Sequence, residues 1–189
     1  MTKIGVLALQ GAFVEHIDIL HQLGVATLPV RLPEELADLD GLVLPGGESV
    51  TISKLAHSFG LIEPLKQLAR EGLPMLGICA GLIFLAKEVA NSEVETLRLM
   101  DIRVKRNAFG RQVDSFETDL MVPILGEKLF HAIFIRAPII EKIGPEVEVL
   151  AKLPDGLAVT VRQGKLVASA FHPELGDDLR FHHYFLNII

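Results

Sequence analysis

The spacing of apolar residues changes character along the chain. Lys3 to Leu9 is a short apolar, β-branched run, the pattern of a strand buried on both faces. From Phe13 to Leu23 apolar side chains fall at 13, 14, 17, 20 and 23, a helical spacing closed by Gly24. Thr27 to Val30 reads as a second strand and Leu42 to Leu44 as a third, halted by Pro45-Gly46-Gly47. Ser49 or Thr51 is placed to cap a helix that runs to Phe59, and Leu61 to Glu71 is a further helical stretch. Met75 to Ile78 reads as a buried strand and Ala80 to Val89 as a helix. This βαβα alternation predicts a parallel sheet with helices on both faces. After Leu97 the rhythm shortens. Runs at 97–106, 116–122, 130–135, 147–153, 157–162 and 166–171 read as strands, with hairpin-type breaks at Pro154-Asp155-Gly156 and Gln163-Gly164-Lys165. Asp178 to Ile189 reads as a closing helix. No repeat or linker interrupts the pattern, so one α/β domain over residues 1–189 is expected, with a β-rich second half.

Composition narrows the function classes. Half of the 189 residues are hydrophobic and 22% are charged, the balance of a globular chain long enough for a sizeable core. A formal charge of -6 argues against nucleic acid as a partner, because such binding draws on basic side chains. The one cysteine, Cys79, excludes an intrachain disulfide and fits a reducing compartment. The longest uncharged stretch, Gly72 to Ala86, is shorter than the ~18 residues of a membrane helix. No secretory signal is visible. A soluble cytoplasmic protein with no membrane partner is expected.

The strongest chemical signal is Gly77-Ile78-Cys79-Ala80-Gly81, a G-x-C-x-G between a strand and a helix. It is the nucleophile-elbow pattern with sulfur in place of hydroxyl. Such a turn presents Cys79 at the carboxyl edge of the sheet, where ligands bind. The following helix points its positive end at the sulfur and favours thiolate, and the Ala80 N–H is placed as an oxyanion donor. The plainer alternative is a buried cysteine acting as a small hydrophobe.

A cysteine nucleophile needs a base and a group to orient it. Of the seven histidines, His172 follows a strand-like run directly, in His172-Pro173-Glu174. Pro173 biases His172 toward extended geometry, in which positions two apart share a face, so Glu174 is set to hold the imidazole. The other histidines lie in helix-like or strand-like stretches rather than just beyond a strand end. His16 and His21 are five apart rather than the four that pairs metal ligands on a helix, so no metal is assigned. Pro45-Gly46-Gly47-Glu48-Ser49 follows the third strand. It lacks the Gly-Lys-Ser/Thr ending of a phosphate loop, and the Gly47 N–H is a second candidate oxyanion donor; a plain tight turn is the alternative. Arg98, Arg103, Lys105, Arg106 and Arg111 form a basic stretch. Arg106 is in phase with Ile102 and Val104 and so faces inward, where it needs either a ligand carboxylate or a structural acid. Arg136 ends the apolar run Phe134-Ile135.

Taken together, the GGE loop, the G-x-C-x-G elbow and the C-terminal HPE resemble the triad glutamine amidotransferases. More narrowly, the chain is similar to the glutaminase subunits of pyridoxal 5′-phosphate synthases. That likeness rests on Gly5 to Ala12 with Glu15-His16, Pro45 to Ser49, Cys79 to Ile83, Arg106 to Gln112, Ser115-Phe116-Glu117, Phe134 to Pro138 and Phe171 to Leu175. Val50 and Ile139 stand where the family often has Thr and His. The resemblance implies a single-domain, three-layer, flavodoxin-like sandwich with a mostly parallel central sheet. It implies that Cys79 attacks glutamine, that His172 moves protons and Glu174 orients it, and that Gly47 and Ala80 stabilise the oxyanion. It places Gly47, Glu48, Ser49, Arg106, Ile135 and Arg136 at the glutamine site. It also implies a hetero-oligomer with a synthase subunit that receives the ammonia, and no cofactor on this chain. A glutaminase serving another synthase, or a silent subunit of the same fold, are the alternatives.

Overall fold

A computed structural model describes residues 2–106 and 115–189. The elements are β1 (Lys3–Leu7), α1 (Phe13–Gln22), β2 (Ala26–Val30), β3 (Gly41–Leu44), α2 (Ser49–Ser58), α3 (Ile62–Arg70), β4 (Met75–Ile78), α4 (Ala80–Leu85), β5 (Ala86–Val89), β6 (Met100–Lys105), β7 (Ser115–Leu120), β8 (Phe130–Ile135), β9 (Ile139–Ile143), β10 (Glu148–Lys152), β11 (Ala158–Gln163), β12 (Leu166–Ser169) and α5 (Arg180–Leu186). Short 3₁₀ turns lie at Pro33–Leu36, Pro123–Leu125 and Pro173–Leu175. Residues 107–112 of the family-type segment that starts at Arg106, with Arg111 among them, lie outside the described residues.

The central sheet has seven strands in the order β10-β11-β12-β4-β3-β1-β2. The five from β12 to β2 run parallel, and β11 and β10 extend the β12 edge in antiparallel fashion. Strands β3 and β4 are buried at every position, which is why they read as unbroken apolar runs. Helices cover opposite faces. Gly41 at the start of β3 meets Phe185 and Ile189, whereas Leu44, three residues on and so on the other face, meets Gly81 of α4. The α/β sandwich with a mostly parallel sheet is therefore present as expected. A second sheet, β5-β6-β9, and the hairpin β7-β8 make up the β-rich second half. Among the described residues no helix is long and apolar enough to cross a membrane.

Three local expectations differ. The helix expected over Ala80 to Val89 stops at Leu85, and the chain continues as β5, paired in parallel with β6. The cause is non-local: Leu97 and Leu99 N–H groups donate to the Phe84 and Leu85 carbonyls, and Thr96 Oγ1 donates to Ala86 O at 2.6 Å. Those acceptors are the ones a continuing helix needs. Helix α2 is capped by neither Ser49 nor Thr51 but by Glu48, whose carboxylate accepts from the Val50 and Thr51 N–H groups. Strand β9 has no counterpart in the expected pattern; among the described residues it pairs antiparallel with β6 alone.

Candidate active site

At the end of β4 the chain turns sharply. Cys79 takes φ +49° and ψ −96°, a conformation that costs a non-glycine residue about 1–3 kcal/mol and persists only where the surroundings enforce it. Here the Cys79 N–H donates to Ser169 O of β12 at 2.8 Å, and the Cys79 carbonyl accepts from Ile83 N at 3.1 Å. Gly81 sits so close to the end of β3 that any side chain would run into the Leu44 carbonyl. The second glycine of the elbow is thus required by packing. Ala80, as the first residue of α4, has no helical acceptor for its N–H. With α4 only six residues long, its positive end is weaker than the longer expected helix would give.

Strand β12 lies beside β4 and delivers His172 to the same edge. The His172 N–H donates to Ile133 O of β8 at 2.8 Å. The preceding Phe171 is fully buried among the rings of Phe130, Phe134 and Phe181. The histidine is therefore clamped from both sides. His172 Nδ1 donates to Glu174 Oε1 at 2.6 Å in a buried pair. The expected pairing is present, but its geometry is not that of a continued strand: Pro173–Leu175 form a 3₁₀ turn that swings Glu174 back toward the imidazole. Burial alone would lower the His172 pKa. Nearby Cys79 and the hydrogen-bonded Glu174 outweigh it and push the value up to about 10. The Glu174 share is secured by the short Nδ1–Oε1 bond. The Cys79 thiol is turned to Ile135 O at 3.9 Å.

Gly46 packs against this pair. A Cβ there would fall 2.5 Å from His172 Cε1 and 3.6 Å from Cys79 Cβ, so only glycine fits. The Gly46 carbonyl accepts from Ala12 N at 3.0 Å, and the Glu48 N–H donates to Gln10 Oε1 at 2.6 Å. The loop after β1 thus fixes the Gly46–Gly47 peptide, and in this trans peptide the Gly47 N–H points away from Ala12. Glu48 is occupied twice: it caps α2, and its Oε1 lies 3.2 Å from Arg106. Despite partial burial, the Thr51 and Val50 hydrogen bonds and the Arg106 charge hold its carboxyl below the usual range. Arg106 thus has a structural acid, Glu48, as one partner, while it also lines the cavity that holds Cys79.

A cavity of about 440 Å³ gathers Gly47, Glu48, Ser49, Cys79, Ala80, Arg106, Ile135, Arg136 and His172, the expected set apart from Glu174, which stands behind His172. Arg136 follows β8 with φ +43°, a second strained non-glycine residue at this cavity. A larger cavity of about 680 Å³ runs along α2 past Ser53 and His57, but neither Cys79 nor His172 lines it. Chemistry rather than size marks the site.

Sequence spacing missed carboxylates that tertiary contacts supply. His57 meets Glu95, and His131 meets both Asp119 and Glu117 on the surface. In the core, His16 Nε2 lies 3.6 Å from Glu174 Oε2 and His16 Nδ1 lies 2.9 Å from His182 Nε2. Only the Glu15-His16 pair in the first helix hinted at this, and nothing local linked it to residue 182.

An elbow cysteine facing a buried His–Glu pair, on a mostly parallel sheet, is the arrangement that cysteine amidases use for acyl transfer. The chain belongs to the SNO glutamine amidotransferase family, whose model matches residues 6–189. It is 62% identical over 188 residues to the pyridoxal 5′-phosphate synthase subunit PdxT of Herpetosiphon aurantiacus, covering 98% of this chain and 99% of that protein. It is 61% identical over 188 residues to PdxT of Dehalococcoides mccartyi, covering 98% and 96%. A crystal structure described as a glutamine amidotransferase superposes with a TM-score of 0.93 at 50% identity, covering 98% of this chain and 97% of that one.

Proposed function

We propose that the chain is the glutaminase subunit of a pyridoxal 5′-phosphate synthase, with Cys79, His172 and Glu174 as its catalytic residues. The observation that carries the reading is the cavity in which the strained Cys79 faces a His172 already held by Glu174. A protonated imidazole beside sulfur favours the thiolate. The thiolate attacks the side-chain amide carbon of L-glutamine. The developing oxyanion takes hydrogen bonds from the Ala80 and Gly47 N–H groups. His172 gives its proton to the amide nitrogen, the C–N bond breaks, ammonia leaves and a thioester remains. Water then adds to the thioester carbon and loses a proton to His172. The C–S bond breaks, and glutamate and the thiolate are restored.

Glu174 keeps the imidazole oriented through both proton transfers. Gly47, Glu48, Ser49, Arg106, Ile135 and Arg136 form the glutamine site, in which the two arginines meet the substrate carboxylate and Ile135 the chain. The ammonia passes to the synthase subunit, which assembles pyridoxal 5′-phosphate, so this chain needs no cofactor of its own. The pair works in the cytoplasm, in keeping with an unpaired cysteine at the site. Full-length likeness to synthase subunits supports this reading over a glutaminase of another complex. A silent subunit would not need the Cys–His–Glu arrangement intact. The test is glutamate release in the presence of the synthase subunit. Cys79→Ala should abolish it while circular dichroism stays unchanged; turnover surviving in Cys79→Ala would overturn the assignment.

A further inference from the structure

Behind the triad, the core holds two ionisable side chains that the proposed reaction does not use. His16 on α1 and His182 on α5 are both fully buried, 166 residues apart, and their rings meet through Nδ1 and Nε2 at 2.9 Å. On its other side His16 presents Nε2 to Glu174 Oε2 at 3.6 Å, both side chains being completely inaccessible. Neither of these two atoms has a hydrogen-bond partner. They face each other a few tenths of an ångström beyond bonding distance, in a place no solvent reaches.

The protons can be placed by elimination. If His16 donated from Nδ1 to His182, a bare Nε2 lone pair would confront the carboxylate and His182 would bury an unpaired Nδ1–H. If His182 donates from Nε2 instead, His16 carries its proton on Nε2, aimed at Glu174, and only a bare acceptor nitrogen of His182 is left unpaired. The second arrangement points its one unbonded buried donor, His16 Nε2–H, at a carboxylate oxygen and sets no like dipoles together. Both rings stay neutral, because burial, with His182 and His172 adding to it for His16, pushes His16 well below its ordinary value and burial pushes His182 down to about 4. Among the described residues no group of three or more such side chains is arranged to hold a metal ion.

We infer that His16, its tautomer set by His182, is a positioning residue for the triad: its uncharged N–H steadies the second oxygen of Glu174 while the first holds His172. A single bond at Oε1 leaves the carboxylate free to swivel, and the imidazole with it. A second contact at Oε2 fixes the plane of the pair. Because the donor is neutral, it does not cancel the charge that His172 draws on. The inference rests on the Cys79–His172–Glu174 reading given above.

The experiment compares wild type, His16→Leu, His16→Gln, His16→Asn, His182→Leu and Cys79→Ala in the complex with the synthase subunit. Glutamine extends an amide nitrogen to nearly the reach of Nε2; asparagine is polar but too short. His16→Leu and His16→Asn should lower kcat about 10- to 100-fold, the scale of a slightly misplaced catalytic group, with the KM for glutamine within about twofold. His16→Gln should restore most of the rate, and His182→Leu should fall between. The low-field proton resonance of His172 Nδ1–H should move in the Leu and Asn variants and return in Gln. If leucine prevents folding, the Gln/Asn pair carries the comparison. Wild-type kcat in His16→Asn, or equal loss in Gln and Asn, overturns the positioning role when Cys79→Ala is inactive. Turnover by Cys79→Ala instead overturns the triad on which that role stands.

Discussion

At the scale of single residues, His172 carries the most specific expectations. Its pKa stands near 10 against an ordinary 6.5. The folded protein therefore binds a proton that the unfolded chain has lost between those values. The stability this contributes is complete below pH 6.5 and disappears as pH rises through about 10. In the proposed mechanism the same proton is given to the leaving nitrogen, so kcat/KM should fall on the alkaline side near pH 10. Glu174→Gln should move that descent toward neutral pH, because after Cys79 the Glu174 hydrogen bond and charge are what raise the value. A pH–rate profile whose alkaline limb stays in place in Glu174→Gln would refute this. His172→Asn should lose about 10²–10⁴-fold in rate, and Glu174→Gln less, since the imidazole remains. The His172–Glu174 pairing and the place of Cys79 at a strand–helix turn were legible in sequence, because an elbow and an HPE turn are local patterns. The partner of Glu174 was not, because a contact between residues 16 and 174 leaves no trace in spacing.

At the scale of elements, the order of strands and helices through β4 followed from apolar periodicity. The discrepancies arise where backbone acceptors are claimed from a distance, as Leu97 and Leu99 claim the last carbonyls of α4. The α2 cap was misread because a glutamate does here what Ser, Thr or Asp usually does. Glu48→Ala should lower stability by about 1 kcal/mol, read by urea unfolding, and should raise the KM for glutamine as Arg106 loses its anchor. An unchanged midpoint would show that the cap contributes nothing. Helices α1 and α5 are joined by two histidines that must stay neutral, the opposite sign to His172. The unfolded chain protonates them below pH 6.5, so stability should decline between pH 6.5 and 4, by up to about 1.4 kcal/mol per pH unit for each ring. A melting temperature that falls as steeply over that range in His182→Leu as in wild type would contradict this.

At the scale of the whole molecule, the parallel sheet opens its carboxyl edge to one cavity, and the loop after β1 reaches that edge from outside. Ala12 N–H holds the Gly46 carbonyl and Gln10 Oε1 holds the Glu48 N–H on either side of Gly47, while Gly11 between them is exposed. A subunit docking on this loop would be mechanically joined to Gly47, the proposed oxyanion donor, and losing such a donor costs about 10²–10³ in rate. Such coupling also suits the chemistry, since ammonia released without a recipient becomes unreactive ammonium. Glutamate release should therefore rise when the synthase subunit is added, and Gln10→Ala should blunt the rise. Equal kcat with and without that subunit would reject the coupling and leave the triad standing. The central claim, covalent catalysis by Cys79, is tested most directly by trapping. A diazoketone analogue of glutamine should add one adduct to the wild-type chain, located at Cys79 by peptide mass mapping, and none to Cys79→Ala. Modification at another residue, together with glutaminase activity that persists in Cys79→Ala, would contradict it.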